Sequence, residues 1–182
     1  MKVYKIKKGK FHSNMPKGLL WKPTRISFNF VLNTEELEES PLMEMNKLVG
    51  FSRGFHHRNS YRIGFYMNHK RELFFAHYLY NDWNKPYPKI NYIDSKFKLD
   101  KAGPNGENNA VHIAGGVFYN GTHVLVGFGV TQGIHHEYYD GNIFWTLEKN
   151  LPPWGYKLGF NWNDNKPTKT EKRIIVNHLK FY

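Results

Sequence analysis

Large apolar side chains recur at every second position in several short segments of this chain. Residues 25–32 (RISFNFVL) are the clearest case, and residues 61–67 (YRIGFYM) repeat the pattern. A period of two predicts a β-strand, because successive side chains of a strand point to opposite faces. Further strands are predicted at residues 73–80, 90–93, 96–99, 156–162 and 174–182.

Turn signals separate these segments. Residues 117–130 (VFYNGTHVLVGFGV) predict a hairpin, in which Asn120 and Gly121 would supply the two positive-φ positions of a type I′ turn. One short helix is predicted in NTEELEESP, with Thr34 as its cap and Pro41 as its end.

The predicted fold class is therefore all-β. Many short strands with tight turns are typical of an antiparallel β-sandwich or jelly roll, here with one short helix. The composition agrees, since 14 Phe and 12 Tyr suit a pleated, half-buried surface better than a helix. A length of 182 residues and the lack of a linker-like segment predict a single domain, residues 1–182.

The charge balance narrows the classes of partner. The formal net charge is +11, and five lysines fall within the first ten residues. Such an excess indicates a polyanionic partner, namely an anionic glycan, nucleic acid or an acidic surface. The alternative is that the charge serves solubility and that the N-terminal lysines protect a sheet edge.

Several chemistries are excluded or left without support. The chain has no cysteine, which excludes disulfides and zinc–thiolate sites. No GxSxG, P-loop or GxGxxG motif is present, and no cofactor is expected. No apolar run approaches the length of a membrane helix, so we expect no membrane span. No apolar segment follows the charged start MKVYKIKKGK, so we expect no signal peptide. The expected location is therefore cytoplasmic or virion-associated.

The densest polar cluster is GFHHRNSYRIGF, residues 54–65. The fork of Arg62 matches a carboxylate, sulfate or phosphate, while His57 and Asn59 add neutral donors and acceptors. His77 and Tyr78, in the next predicted strand, would complete a groove. The alternative is a polar turn that leads into a structural strand.

A second candidate lies in GYKLGFNWNDN, residues 155–165. Lys157 and Asn161 alternate with packed side chains there, and a small gap at Gly159 would admit a sugar ring. The cluster His135-His136-Glu137 offers metal-ligand types, but adjacent histidines of a strand point to opposite faces, so no metal site is expected.

Two motifs resemble a known group of proteins. The first is a His-x-Asn-Ser-x-Arg-x-Gly strand, and the second is a Tyr-x-Leu strand followed by Asn and Pro. The matching positions are His57, Asn59, Ser60, Arg62 and Gly64, and then Tyr156, Leu158, Asn165 and Pro167. They resemble small uncharacterised concanavalin A-like sandwich proteins of Bacteroidota and their phages. The resemblance covers about half of the chain and implies a sandwich fold.

The resemblance also extends to alginate lyases of that fold. Arg62 resembles a member of their arginine-rich strand, and the run from Tyr156 to Gly159 resembles their Tyr-x-Lys-x-Gly strand. Their Gln-Ile-His strand has no counterpart, since Ala76-His77 is the nearest sequence here.

The expected function is binding without catalysis, in a recognition or structural module for an anionic glycan or another polyanionic surface. The expected ligand-binding residues are His57, Asn59, Arg62, Tyr66, His77, Tyr78, Lys157, Asn161 and Trp162. The first alternative is a polysaccharide lyase acting on a uronate polymer by β-elimination, with Arg62 as charge neutraliser and a His or Tyr for proton transfer. The second alternative is a nucleic-acid-binding protein that contacts the phosphate backbone.

Overall fold

The computed structural model describes residues 1–40, 42–55, 59–80, 88–146, 151–162 and 166–182. Within them the chain forms two antiparallel β-sheets that pack face to face, and one short helix. The prediction of an all-β sandwich with one short helix is confirmed.

The six-stranded sheet has the order β1-β13-β3-β9-β10-β11. Its strands are β1 (Lys2–Ile6), β3 (Arg25–Asn33), β9 (Ala110–Tyr119), β10 (His123–Gln132), β11 (His135–Phe144) and β13 (Lys172–Phe181).

The seven-stranded sheet has the order β2-β12-β4-β5-β6-β7, and a further short strand, β8, pairs with β6. Its strands are β2 (Leu19–Trp21), β4 (Asn46–Ser52), β5 (Ser60–Met67), β6 (Glu72–Tyr80), β7 (Lys89–Tyr92), β8 (Phe97–Lys98) and β12 (Trp154–Leu158).

The core lies between the two sheets. Alternate apolar residues of β3 and β5 point into it, and the largest buried side chains include Phe30, Phe65 and Trp145. Rings from opposite sheets meet directly, since the centroids of Phe75 and Phe128 are 4.7 Å apart. Dense aromatic packing of this kind fixes which face of each strand is available to solvent.

The helix α1 spans Thr34–Glu38, but its cap is one residue earlier than predicted. The side chain of Asn33 accepts a hydrogen bond from the Glu36 amide at 3.1 Å. Thr34 is instead the first helical residue, and its hydroxyl donates to the Asn108 carbonyl at 2.5 Å. The prediction of Thr34 as the cap is wrong, because the side chain of Asn33 accepts from the Glu36 amide in the first turn of the helix.

The hairpin of β9 and β10 is present, but its turn is not type I′. Gly121 has a φ of 104°, whereas Asn120 does not adopt a positive φ. The side chain of Asn120 accepts hydrogen bonds from the amides of Thr122, at 3.0 Å, and His123, at 2.8 Å. This Asx-type bonding holds a longer loop, so a second positive-φ residue is not needed.

No helix in the described part of the chain is both long enough and apolar enough to cross a membrane.

Candidate functional site

The face of the seven-stranded sheet that points away from the six-stranded sheet is called here the outer face. Tyr61, Ile63 and Phe65 of β5 point into the core, so the intervening Arg62 and Tyr66 point to the outer face. Antiparallel register places Tyr78 of β6 directly opposite Arg62. Arginine and tyrosine are thereby neighbours on one rigid sheet face, where Tyr78 is only 4 % exposed and packs in a buried cluster with Met45 and Ala76.

Arg62 lies in the middle of this surface. A Cβ atom at Gly50 of β4 would lie 2.7 Å from Cγ of Arg62, so the first part of the Arg62 side chain lies over that glycine. Among the residues that the structure describes, the guanidinium makes no hydrogen bond and no ion pair. Burial lowers the pKa of Arg62 to about 10, an effect partly opposed by Tyr78 and Tyr80. The side chain is therefore a half-buried cation at neutral pH, with part of its surface open to solvent.

Lys47 of β4 brings a second cation to the same place. Its side chain is buried, and Nζ lies 4.5 Å from the ring centroid of Tyr78. A cation at this distance from an aromatic face is stabilised by the ring quadrupole. Tyr80 follows on the same strand face, with its ring 5.7 Å from that of Tyr78 in a T-shaped arrangement.

His12 and Asn161 close one side of this cluster. Asn161 forms a β-bridge with both His12 and Lys47, and its Nδ2 lies 3.3 Å from Nδ1 of His12. The pKa of His12 is lowered by burial and then by the positive charges of Arg62, Lys17 and Lys47. Three positive charges thus act on the imidazole in addition to its burial.

Aromatic rings extend the surface along β5 and β6. The rings of Tyr66 and Phe74 are stacked with centroids 5.2 Å apart, and Tyr92 of β7 meets Tyr66 edge-on at 5.6 Å. The whole surface is called here the cationic face. It comprises His12, Lys47, Arg62, Tyr66, Phe74, Tyr78, Tyr80, Tyr92 and Asn161. Lys47, Tyr78 and Asn161 are themselves buried, so a ligand would meet the half-buried Arg62, Tyr66, Phe74 and Tyr80 and the exposed His12 and Tyr92. These accessible side chains can pair with an anion and stack on a flat ring.

Four predicted site residues, Arg62, Tyr66, Tyr78 and Asn161, thus lie on the cationic face. His77 does not, because β6 alternates and His77 points into the core with 2 % of its surface exposed. Its Nδ1 lies 3.3 Å from the hydroxyl oxygen of Tyr61. Burial lowers the pKa of His77 to about 4, so it is a neutral core residue at pH 7.

The burial of His77 predicts a loss of stability in acid. In the unfolded chain His77 titrates with the ordinary histidine pKa of 6.5, whereas in the folded protein its pKa is about 4. Stability therefore falls as the pH drops through this window, by roughly 3 kcal/mol from this group. We expect His77→Gln to lose less unfolding free energy between pH 7 and pH 4 than the wild type, as measured by urea denaturation. His112→Gln, at an exposed position, is the control, and equal losses in all three proteins would contradict the assignment.

The prediction that Trp162 offers a stacking surface is wrong. Trp162 is buried in the core, where its Nε1 donates to Oγ of Ser40 at 2.7 Å and its ring meets Phe65 edge-on at 5.6 Å. A tryptophan enclosed in this way has no face for a ligand.

Lys157 also lies away from the cationic face. It pairs with the core residue Phe51, and its Nζ lies 5.4 Å from the ring of Phe181 on β13 of the other sheet. The expectation that one groove contains Arg62, His77 and Lys157 is therefore wrong. The physical reason is the phase of the alternation, which turns the last two toward the other sheet.

The remaining predicted residues lie in or near the connection between β4 and β5. Asn59 is 1 % exposed, and neither polar atom of its side chain has a hydrogen-bond partner among the described residues. Its backbone carbonyl accepts from the amide of Arg53 at 2.8 Å, which holds the connection. His57 lies outside the described residues.

The adjacent histidines of β11 separate as expected. His135 forms an ion pair with Asp100 at 3.1 Å, and Nδ1 of His136 lies 2.7 Å from the hydroxyl of Thr131. No group of three or more metal-ligating side chains occurs in the part of the chain that the structure describes.

Sequence reasoning missed five residues of the cationic face, namely His12, Lys47, Phe74, Tyr80 and Tyr92. The register of β4 against β5 shifts between Lys47 and Gly50, which breaks the alternation from which the face of Lys47 would be read. His12 lies outside any regular strand, so no periodicity points to it. The period of two in β6 places Phe74 and Tyr80 on the same face as Tyr78, and this signal could have found them.

No protein-family model matches this chain, and no curated protein matches it either.

Proposed function

We propose that this protein binds an anionic glycan through the cationic face, without catalysis. The observation that carries the proposal is the state of Arg62. It is a half-buried guanidinium on a rigid strand, without a hydrogen bond or ion pair among the described residues. An arginine with a structural role is normally paired with a hydrogen-bond acceptor of the protein, whereas an arginine that binds a ligand takes its acceptor from that ligand.

The surroundings of Arg62 favour an anion. Among the described residues, its electrostatic neighbours are the tyrosines Tyr78 and Tyr80, and those of His12 are Arg62, Lys17 and Lys47. Clustered cations raise each other's energy, and an anion relieves that repulsion. Arginine can bind a carboxylate or sulfate with two parallel hydrogen bonds.

The aromatic side chains favour a sugar over a simple inorganic anion. Tyr66, Phe74 and Tyr92 form a continuous aromatic surface beside the cations. Tyrosine combines an apolar face with a hydroxyl group that forms hydrogen bonds, and a pyranose ring presents the same two kinds of surface. A uronate polymer, with one carboxylate on each ring, fits both halves of the cationic face.

The test is binding of three soluble probes by titration calorimetry: an alginate octasaccharide, a neutral glucan octasaccharide and a single-stranded DNA octanucleotide. Preference for the alginate octasaccharide supports the proposal. Equal or tighter binding of the DNA, with an affinity that falls steeply with salt, would assign the face to nucleic acid. Binding of none of the three would overturn the proposal.

One observation keeps β-elimination as the second candidate. Next to the neutraliser Arg62 lie Tyr78 and His12, and the lowered pKa of His12 leaves its imidazole neutral and able to accept a proton. Incubating the protein with alginate and monitoring ultraviolet absorbance at about 235 nm separates the two functions. A steady rise from new unsaturated ends would show a lyase, and a flat trace leaves binding alone.

The potential at His12 predicts a pH dependence of binding. A bound carboxylate next to His12 offsets the charges of Arg62, Lys17 and Lys47, so the pKa of His12 rises and a proton is taken up. Because the complex holds more protons than the free protein, we expect alginate affinity to increase as the pH falls from about 8 to about 5.5, where uronates are still ionised.

Calorimetry in two buffers with different ionisation heats measures this proton uptake. His12→Ala should bind without the pH dependence, and the matched control His112→Ala, on the other sheet, should keep it. If His12→Ala and the wild type show the same pH profile, the role assigned to His12 is wrong.

A further inference from the structure

A second aromatic surface lies at the opposite edge of the outer face, on β2 and β12. Trp21 is 71 % exposed and Leu19 is 69 % exposed. With Leu20, Trp154 and Tyr156 they line a shallow cavity of about 520 Å³. These five residues are called here the aromatic edge, and none of them is charged.

Ring contacts hold two of the three rings of the aromatic edge, and Trp21 pairs with one of them, Trp154, across the strands. Trp154 meets Tyr156 edge-on, with centroids 5.7 Å apart, and Phe55 meets Trp154 edge-on at 5.6 Å. Side chains held in this way lose little conformational freedom when a ligand binds. Large apolar side chains exposed together on a rigid sheet typically mark a binding surface.

The strand register joins the aromatic edge to the cationic face. Leu158 of β12 pairs with Gly50 of β4, and Gly50 pairs with Arg62 of β5. At about 4.8 Å per strand, three steps from β5 to β2 span about 14 Å across the sheet. Trp21 pairs with Trp154, four residues along β12 from Leu158, so Arg62 and Trp21 lie about 19 Å apart. The residue between Arg62 and β12 is a glycine, so β4 contributes no side chain at this point, and the side chain of Arg62 itself lies over Gly50.

We infer that the glycan bound at Arg62 continues across β4 and stacks a later sugar ring on Trp21 and its neighbours, so that the ligand is a linear polymer and not a single sugar. This inference rests on the proposed function. The two surfaces suit different parts of such a polymer. Its anionic groups pair with the cations of the cationic face, and the apolar face of a sugar ring lies on a tryptophan of the aromatic edge.

The geometry of β2 argues against a peptide at this edge. A peptide that adds to a sheet edge gains its affinity from main-chain hydrogen bonds, and β2 has only three residues, Leu19–Trp21. Lys22, the next residue, adopts a φ of 44°, which ends the extended backbone. A ligand that uses side-chain faces fits this edge better.

The experiment compares alginate disaccharide and octasaccharide binding to the wild type, Trp21→Ala and Tyr138→Ala by titration calorimetry. Tyr138, 66 % exposed on β11 of the other sheet, is the matched control. Loss of one stacking tryptophan should weaken octasaccharide binding about tenfold or more. Disaccharide binding should stay unchanged in Trp21→Ala, and Tyr138→Ala should bind both ligands as the wild type does.

The outcomes separate this inference from the proposed function. If the wild type binds neither ligand, both fail. If the wild type binds the octasaccharide and Trp21→Ala binds it equally well, the inference alone is overturned. Sedimentation measured in parallel tests whether a second copy of the chain occupies the aromatic edge instead. A wild-type dimer that Trp21→Ala abolishes would assign the edge to that second copy and overturn the inference.

Discussion

Arg62→Gln is expected to weaken alginate binding about 30-fold or more. The substitution removes the charge and the planar fork while keeping a polar side chain of similar length. Loss of one charge-assisted bidentate contact in a partly desolvated site costs about 2–4 kcal/mol. Titration calorimetry at moderate salt measures the difference directly.

The same variant should fold at least as well as the wild type. The folded protein lowers the pKa of Arg62 to about 10, so its charge is less favourable there than in the unfolded chain. Since no described residue pairs with the guanidinium, replacing it removes a cost and breaks no contact. The melting temperature of Arg62→Gln should equal or exceed that of the wild type.

Arg25→Gln is the control for net charge. Arg25 lies exposed on β3, in the other sheet, with its guanidinium 5.3 Å from the ring of Tyr182. Removing its charge changes the overall field by the same amount but leaves the cationic face intact. Equal losses of affinity in both variants would show that the total charge, and not the site, binds the ligand.

Gly50→Ala is expected to destabilise the fold by at least about 3 kcal/mol. A Cβ atom there would overlap the backbone carbonyl oxygen of Tyr61 and lie 2.7 Å from both Cα and Cγ of Arg62. Backbone atoms of a central strand cannot move aside as the end of a flexible side chain can. The pairing of β4 with β5 must therefore open, and Arg62 moves with it.

Gly121→Ala provides the contrast. Nothing lies within 4 Å of a Cβ at Gly121, so only its φ of 104° opposes a side chain. That strain costs about 1 kcal/mol. Urea denaturation of both variants separates steric overlap from backbone strain. A loss in Gly50→Ala no greater than in Gly121→Ala would mean that the close approach of β4 and β5 is wrong.

The sequence predicts best the strands that have one buried and one exposed face. β3 and β5 keep a strict period of two, because one side packs in the core and the other does not. β4 is buried along its whole length and contains a register shift, so its sequence lacks alternation. β11 is mostly exposed and polar, so its sequence lacks the apolar alternation from which a strand is predicted.

The candidate site was only partly accessible from the sequence, because orientation depends on tertiary packing. Residues 73–80 carry apolar side chains on both faces, and only contact with the other sheet decides that His77 is inside and Tyr78 outside. In β12 the strand ends at Leu158, and the break at Gly159 changes the phase of the alternation. Lys157 and Asn161 therefore lie on different faces, although their spacing predicts a shared one.

The most direct test of the central claim is a map of the bound ligand. Alginate octasaccharide is titrated into ¹⁵N-labelled protein, and amide chemical-shift changes are assigned to strands. We expect the changes to be concentrated on β4, β5, β6 and β12, with the largest near Arg62 and Tyr78. Changes centred on the six-stranded sheet, or on the lysine-rich β1, would contradict the assignment of the binding surface to the cationic face.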